Sequence, residues 1–563
     1  LAWTASAFAA LSAGGAVAQS PQDLASVPPP AVDPAASLPA DWSQGPFLQI
    51  FVRGWKDGDG DGVGDLKGLT QTLDHLAAMG VTGLWLMPIQ ANSDGDHGYA
   101  TTDFLALDPA YGTVEDLDRL IREASARGIG IIIDYVLNHA SAEHAWFKDA
   151  RVDPQSPWRR HFIWTPGPRP KKWYIWDKHP WYHTASQPWT HKGPARTLPD
   201  PPAGARGFYF GTFGAHMPDF NMRNPAVVAY HEDAMRQWLA RGLAGFRLDA
   251  TPHLIENDAE NWNDQPESRA LTKRFADMIL SHPNRHVVCE ATSKPEEWAD
   301  PSVCNGAFAF GLQYEMVKAA RGDLEALGKV GERLPTLDRG MATFLANHDG
   351  FAGQRLGTQF KGEPAAHRMA AAMLLLSPGI PFLYHGEDVG LENGPCPADA
   401  PLGEDGKPAC GDPPLRGPMA WTPDGASHGF STATPFRPVA PNATIANVES
   451  QVADPASLHH WYRALIAIRR AHPSLLSGRL QAHRVEGGVL QMVRDTAGER
   501  ALIVLNVGAT RGDVASLTPI GNGARIVFDR LATPGTATAG GLDASGGRLR
   551  IAPGGVGVVV LEK

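Results

Sequence analysis

The sequence predicts an α/β protein: a (β/α)8 TIM barrel carrying a long insertion after its third strand, followed by an antiparallel β-sandwich domain. Three observations lead there. From Phe47 onward, short and almost wholly apolar segments alternate with amphipathic ones, the pattern of a parallel sheet covered by helices. The alternation stops after His139 and resumes near Ala215. Beyond Ser477 only short alternating segments remain, which read as antiparallel strands.

Taken in order, residues 1–18 are small and apolar and close on Ala16-Val-Ala18, reading as the apolar region and cleavage site of a signal peptide. The run is too short to span a bilayer, and no later stretch is apolar enough, so a soluble protein, secreted or periplasmic, is expected. Residues 19–45 are rich in Pro and Ala and read as an extended lead-in. Residues 47–52 are strand-like, 69–79 helical, 81–87 a strand, 114–126 a helix and 129–133 a buried strand. The barrel is thus assigned to 46–139 and 216–477, with 461–471 as its last helix, the insertion to 140–215, and the sandwich to 478–563. A structureless loop as long as the insertion is uncommon, so it is expected to form a subdomain. Its aromatic residues (Trp173, Tyr174, Trp176, Trp181, Tyr182, Trp189) divide between that subdomain's own core and faces on which a sugar could stack.

Net charge is −10 with no long basic run, which argues against nucleic acid or an anionic membrane as partner and is compatible with a neutral substrate. Nothing in the sequence sets an oligomeric state. Of four cysteines, Cys396 and Cys410 bracket a Pro/Gly-rich loop and look like a local disulfide. Cys289 reads either as a buried thiol or as the partner of Cys304.

Three carboxylates end short apolar segments: Asp249 in Gly-Phe-Arg-Leu-Asp-Ala, Glu290 after Val-Val-Cys, and Asp349 after Phe-Leu-Ala-Asn-His. A fourth segment, Asp134-Tyr-Val-Leu-Asn-His139, precedes them. Carboxyls beside apolar strands are costly unless they share a polar site, and glycoside cleavage needs such a set, one group to attack the sugar and one to protonate the leaving oxygen. Barrel enzymes collect such groups at the C-terminal strand ends. Arg247 lies two residues before Asp249 and faces the same way, so its charge is expected to keep Asp249 ionised. Partial burial among apolar neighbours is expected to raise the pKa of Glu290.

Separately, Asp57-Gly-Asp-Gly-Asp-Gly-Val-Gly-Asp65 spaces carboxylates by two with intervening glycines, which suits a hard cation such as Ca2+ in a structural role.

The four carboxylate segments, with the flanking 80–88, His97-Gly-Tyr99, Met217-Pro-Asp-Phe-Asn221 and 379–386, resemble the α-amylase family of glycoside hydrolases (family 13) from about Phe47 to the C-terminus. The closer resemblance is to the group between oligo-1,6-glucosidases and neopullulanases, although Phe220 departs from the usual Leu. The resemblance implies that the insertion is domain B, walling one side of the cleft. It also implies Asp249 as nucleophile, Glu290 as acid/base and Asp349 as the carboxylate that binds sugar and stabilises the transition state. By the same resemblance His139 and His348 hold sugar hydroxyls, Tyr99 lies beneath the cleaved sugar, and Asp134 orients Arg247. Asp57, Asp59, Asp61 and Asp65 would bind Ca2+ by side chain and Val63 by its carbonyl. Ala250 after the nucleophile accompanies α-1,4 preference in related α-glucosidases. Asp96 stands where exo-acting relatives grip a terminal glucose, and Arg416 opens a segment similar to that of oligosaccharide-directed members. The expected activity is retaining hydrolysis of α-1,4 links in malto-oligosaccharides or starch. The alternatives are an exo-α-glucosidase with transglycosylation and, remotely, a non-catalytic sugar-binding relative.

Overall fold

The computed structural model describes residues 21–562 apart from 167, 172, 177, 185–206, 339, 399, 401–407, 409, 522 and 534–538. The signal-peptide reading (1–18) and Trp189 lie outside the described residues. Eight parallel strands close into a barrel: β1 (Phe47–Ile50), β2 (Gly83–Leu86), β3 (Gly130–Val136), β4 (Gly245–Asp249), β5 (His286–Cys289), β6 (Ala307–Phe308), β7 (Met341–Thr343) and β8 (Ile380–Tyr384). β8 pairs with β1 in register Leu383 to Leu48, completing the ring. Every residue of these strands is buried, so their near-continuous apolar runs follow from coverage on both faces.

Helices return the chain between strands. The one expected at 69–79 is two, Leu66–Gln71 and Leu73–Met79, broken at Thr72, whose hydroxyl donates to the Leu69 carbonyl. Val114–Ala126 starts on a capping box in which Thr113 accepts from Asp116 N–H and Asp116 accepts from Thr113. Leu458–Ala471 is the last barrel helix.

The insertion leaves β3 and forms helix Ala145–Val152 and a three-stranded sheet ordered Trp164–Thr165, Phe208–Phe210, Trp181–His183. Its aromatics divide as composition suggests: Ile175, Trp181 and Phe210 form a small core, while Trp176 is 57 % exposed. After the barrel, a five-stranded antiparallel sheet packs against a three-stranded one through Val489, Leu502, Val514 and Leu549. Both disulfides are formed, and Cys289 is paired with Cys304.

The lead-in is more than a spacer. Gln22–Asp23 adds a strand to Ala106–Leu107, Asp33 pairs with Arg285 at 2.8 Å, and Arg241 donates to the carbonyls of Leu24 and Val27. Trp42 closes the N-terminal end of the barrel, its ring 5.6 Å from that of Phe47. It fills space that Gly130 leaves open, since a Cβ there would stand 2.3 Å from the indole. A buried Trp of this kind contributes about 3–5 kcal/mol relative to Ala.

Candidate active site

At the opposite end, the strand termini bring the carboxylates together around two arginines. Asp249 is the last residue of β4, Glu290 follows β5, and Asp349 lies in the turn after β7. Arg247 on β4 projects to the same side as Asp249. Its Nη1 donates to Asp249 Oδ1 and, at 2.8 Å, to Asp134 Oδ1 on β3, while Nη2 lies 3.0 Å from Glu290 Oε2. Immediately after Asp249 the backbone turns sharply, with Ala250 in the left-handed region (φ 49°), and this aims the Ala250 N–H at Glu290 Oε2, 3.1 Å away. Glu290 is therefore held by a guanidinium and an amide, not set among apolar groups as expected.

Arg416, in the loop after β8, organises the other half. It donates to the His348 carbonyl (3.1 Å), Asp96 Oδ2 (3.4 Å), Asp349 Oδ1 (3.3 Å) and Asp412 Oδ2 (2.9 Å). Asp96 is also 2.9 Å from Arg437 Nη2. The turn that carries Asp96 is capped by Asp94, which accepts from the N–H groups of Asp96, Gly98 and Ala100. That leaves the Asp96 carboxyl to the two arginines.

Tyr99 lies flat on His348, the rings 5.5 Å apart and 11° from parallel. Gln49 donates to His348 Nδ1 (2.6 Å), which leaves the proton on Nε2, 2.7 Å from the Tyr99 hydroxyl; that hydroxyl donates in turn to Asp134 Oδ2 (2.8 Å). Burial lowers the His348 pKa well below the ordinary value and that of His139 to about 3. Both rings are neutral and suited to sugar hydroxyls. His139 contacts the Phe213 ring at 5.1 Å, and Phe213 continues into Trp176, His253 and Trp262, with His253 and Trp262 stacked at 5.4 Å. An aromatic wall thus runs outward from the carboxylate cluster.

Charge on the floor is unbalanced: Asp96, Asp134, Asp249, Glu290, Asp349 and Asp412 face Arg247, Arg416 and Arg437. Burial pushes Asp134 up to about 6 against the pull of Arg247, and Asp349 up to about 7 against that of Arg416. Asp249 is likewise driven well above the usual carboxylate range, by burial first and by Glu290 and Asp134 next, with Arg247 opposing. The expectation that Arg247 keeps Asp249 ionised meets an opposing effect: the guanidinium is shared with Asp134 and Glu290, and burial of Asp249 outweighs its pull.

Two groups offer oxygen to a hard cation. In the acidic loop the carboxylates of Asp57, Asp59 and Asp61 converge within 4.8 Å. Burial and repulsion from Asp61 and Asp57 raise the Asp59 pKa, a strain that a divalent ion relieves. Asp65 is differently engaged, accepting from the N–H groups of Gly58, Asp59 and Gly68 and capping helix Leu66–Gln71; Val63 donates its N–H to Asp61. The second group is Asp219 and Glu256, buried beside Asn138 and against each other; burial raises both, Asp219 to about 6.

Residues that the sequence reading missed are Gln49, Trp85, Asp94, Asp412 and Arg437. Trp85 donates its indole N–H to Asp134 and lies under Arg247 (5.3 Å). Its place on β2, facing the barrel interior, was a usable signal. Arg437 stands in an irregular loop with no periodicity to mark it.

Comparison with known proteins followed the same lines. Residues 49–478 match the α-amylase catalytic domain. Over 527 residues, 84 % of this chain and 83 % of the other, the sequence is 32 % identical to the trehalose synthase/amylase of Mycobacterium tuberculosis. It is 30 % identical over 477 residues to α-amylase 3 of Dictyoglomus thermophilum, covering 82 % of this chain and 84 % of that one. Among solved structures, an α-glucosyl transfer enzyme matches with a TM-score of 0.75 at 27 % identity, over 92 % of this chain and 99 % of the other.

Proposed function

The chain belongs to the α-amylase family of glycoside hydrolases, and from that premise we propose that it removes glucose from the non-reducing end of α-1,4-linked malto-oligosaccharides with retention of configuration. An α-glucosidase or glucosyl-transfer type of activity is what its relatives support. One observation carries the finer reading: Asp96 is held by both Arg416 and Arg437, and Arg416 also reaches Asp349, so charged groups close the site beyond the sugar that Asp349 would bind.

The Asp249 carboxylate attacks the anomeric carbon while Glu290 gives its proton to the departing glycosidic oxygen, so the C1–O bond breaks as C1–Oδ forms. Glu290 then takes a proton from water, whose oxygen attacks C1 and releases Asp249. A sugar hydroxyl donating to Asp249 favours its ionised form, which readies it to attack. His139, His348 and Tyr99 position the same sugar. The wall of Phe213, Trp176, His253 and Trp262 favours a second outcome, in which an acceptor sugar stacked there replaces water and glucose is transferred. A structural calcium at Asp57, Asp59 and Asp61 and export to an oxidising compartment belong to this reading, the latter supported by two disulfides.

Product profiling over time on maltotriose and maltoheptaose, with the anomer followed by NMR, tests it. α-Glucose is expected first. Release of β-glucose, or of maltose and longer sugars first, would overturn it.

A further inference from the structure

On the outside of the barrel, away from the reacting carboxylates, the first and last helical units meet. His75 lies on helix Leu73–Met79, which follows β1; His459 lies on helix Leu458–Ala471, which follows β8; and Asp388 is in the turn just after β8. One potential ligand atom from each of the three falls within 4.8 Å of the others. The imidazole planes are nearly parallel (19°) with ring centres 5.4 Å apart, and Asp388 Oδ2 is 2.7 Å from His459 Nδ1. We propose that His75, Asp388 and His459 form a transition-metal site, best suited to Zn2+, that clips the two ends of the barrel together.

The donor set distinguishes this site from the acidic loop. Two imidazoles and one carboxylate suit zinc, whereas an all-oxygen cluster suits calcium. Tetrahedral zinc with bonds of 2.0–2.2 Å places its ligand atoms about 3.4 Å apart, so Asp388 and His459, now hydrogen-bonded at 2.7 Å, would open slightly while His75 turns towards them. Asp388 and His459 are buried and fixed, while His75 is partly exposed and gives the ion a way in. The edge of Trp421 against His75 (5.6 Å) walls the site with apolar surface. Arg463, the cation that acts on His75, donates to the Ala78 carbonyl. The two histidines are separated in sequence by almost the whole barrel. A clip between them constrains the unfolded chain over a very long loop, where loop-closure entropy is largest. Such a site has no part in the chemistry and acts on stability alone.

The test uses the full chain, stripped with chelator and refilled with ZnCl2 in excess Ca2+, in the Asp59→Ala/Asp61→Ala background so that the acidic loop cannot contribute. One zinc per chain and a rise in Tm of about 5 °C are expected, with Co2+ giving the visible absorption of a tetrahedral site. His75→Gln, on a partly exposed helix face, should abolish the Tm rise and the Co2+ spectrum while maltotriose turnover in the absence of zinc stays unchanged. His459→Gln should do the same if it folds. Absence of the Tm rise in the parent, or its persistence in His75→Gln, would overturn the proposal.

Discussion

Arg437 stands 2.9 Å from Asp96, although 340 positions of chain that build most of the barrel lie between them, and with Arg416 it holds that carboxyl where a sugar chain would otherwise continue. If this is how a chain end is recognised, Asp96→Ala should lower kcat/KM on maltotriose about 10–100-fold, the loss of one charged hydrogen bond at about 1.5–3 kcal/mol. Soluble starch, whose internal segments do not use the lock, should be affected far less. Arg437→Ala should show the same selectivity in milder form, since Arg416 remains. Equal losses on both substrates would remove the exo reading and leave an endo-acting enzyme.

The two halves of the chemistry are separable by rescue. Asp249→Ala and Glu290→Ala should each lower kcat at least about 1000-fold without changing the circular dichroism spectrum. On an activated aryl glucoside, azide should restore turnover with a retained product to Glu290→Ala only. The reverse pattern would exchange the two roles.

Crowding of carboxyls should be visible in stability. The folded-state pKa of Asp349 is raised to about 7, by burial first, so the unfolded chain loses this proton at lower pH than the folded one. Its contribution is full below about pH 4 and is lost as pH rises to about 7, a change of up to about 4 kcal/mol. Asp349→Asn should therefore raise Tm above pH 7 and lose that advantage towards pH 4. A Tm difference that is flat with pH would mean that Asp349 titrates normally.

For the acidic loop, removing calcium with a calcium-selective chelator, zinc being kept in place, should lower Tm by about 5 °C with little effect on the chemical rate, and added calcium should restore it. Asp59→Ala with Asp61→Ala should bind no calcium and show no calcium-dependent change in Tm; unchanged calcium content would rule the loop out as a site.

Much of this was legible in the chain because strand ends carry a strong local signal. Asp249, Glu290 and Asp349 each terminate an apolar run, and a two-residue spacing on one strand fixed the partnership of Arg247 with Asp249. What was not legible came from long-range juxtaposition. Arg437 and Asp412 lie in loops whose paths no periodicity encodes, and the pairing of Cys289 with Cys304 depends on how β5 meets the loop beyond it. For a related reason the sequence identifies the nearest cation of Asp249 but not how many carboxyls share it. Helix 69–79 was read as continuous because Thr72 breaks it by a side-chain bond to its own backbone, which hydrophobic spacing does not register.

The Pro/Ala-rich belt beneath the barrel has a consequence for the order of synthesis. It leaves the ribosome before the barrel does, yet the arginine that receives Leu24 follows that residue by 217 positions and the one that pairs with Asp33 follows it by 252. The belt must therefore wait, undocked, while most of the barrel is made. A segment poor in large apolar side chains can wait in water without collapsing on the wrong surface. Trp42, its one large anchor, packs against both Gly130 and His286, so the seating of this end reports that the chain has been made at least as far as β5.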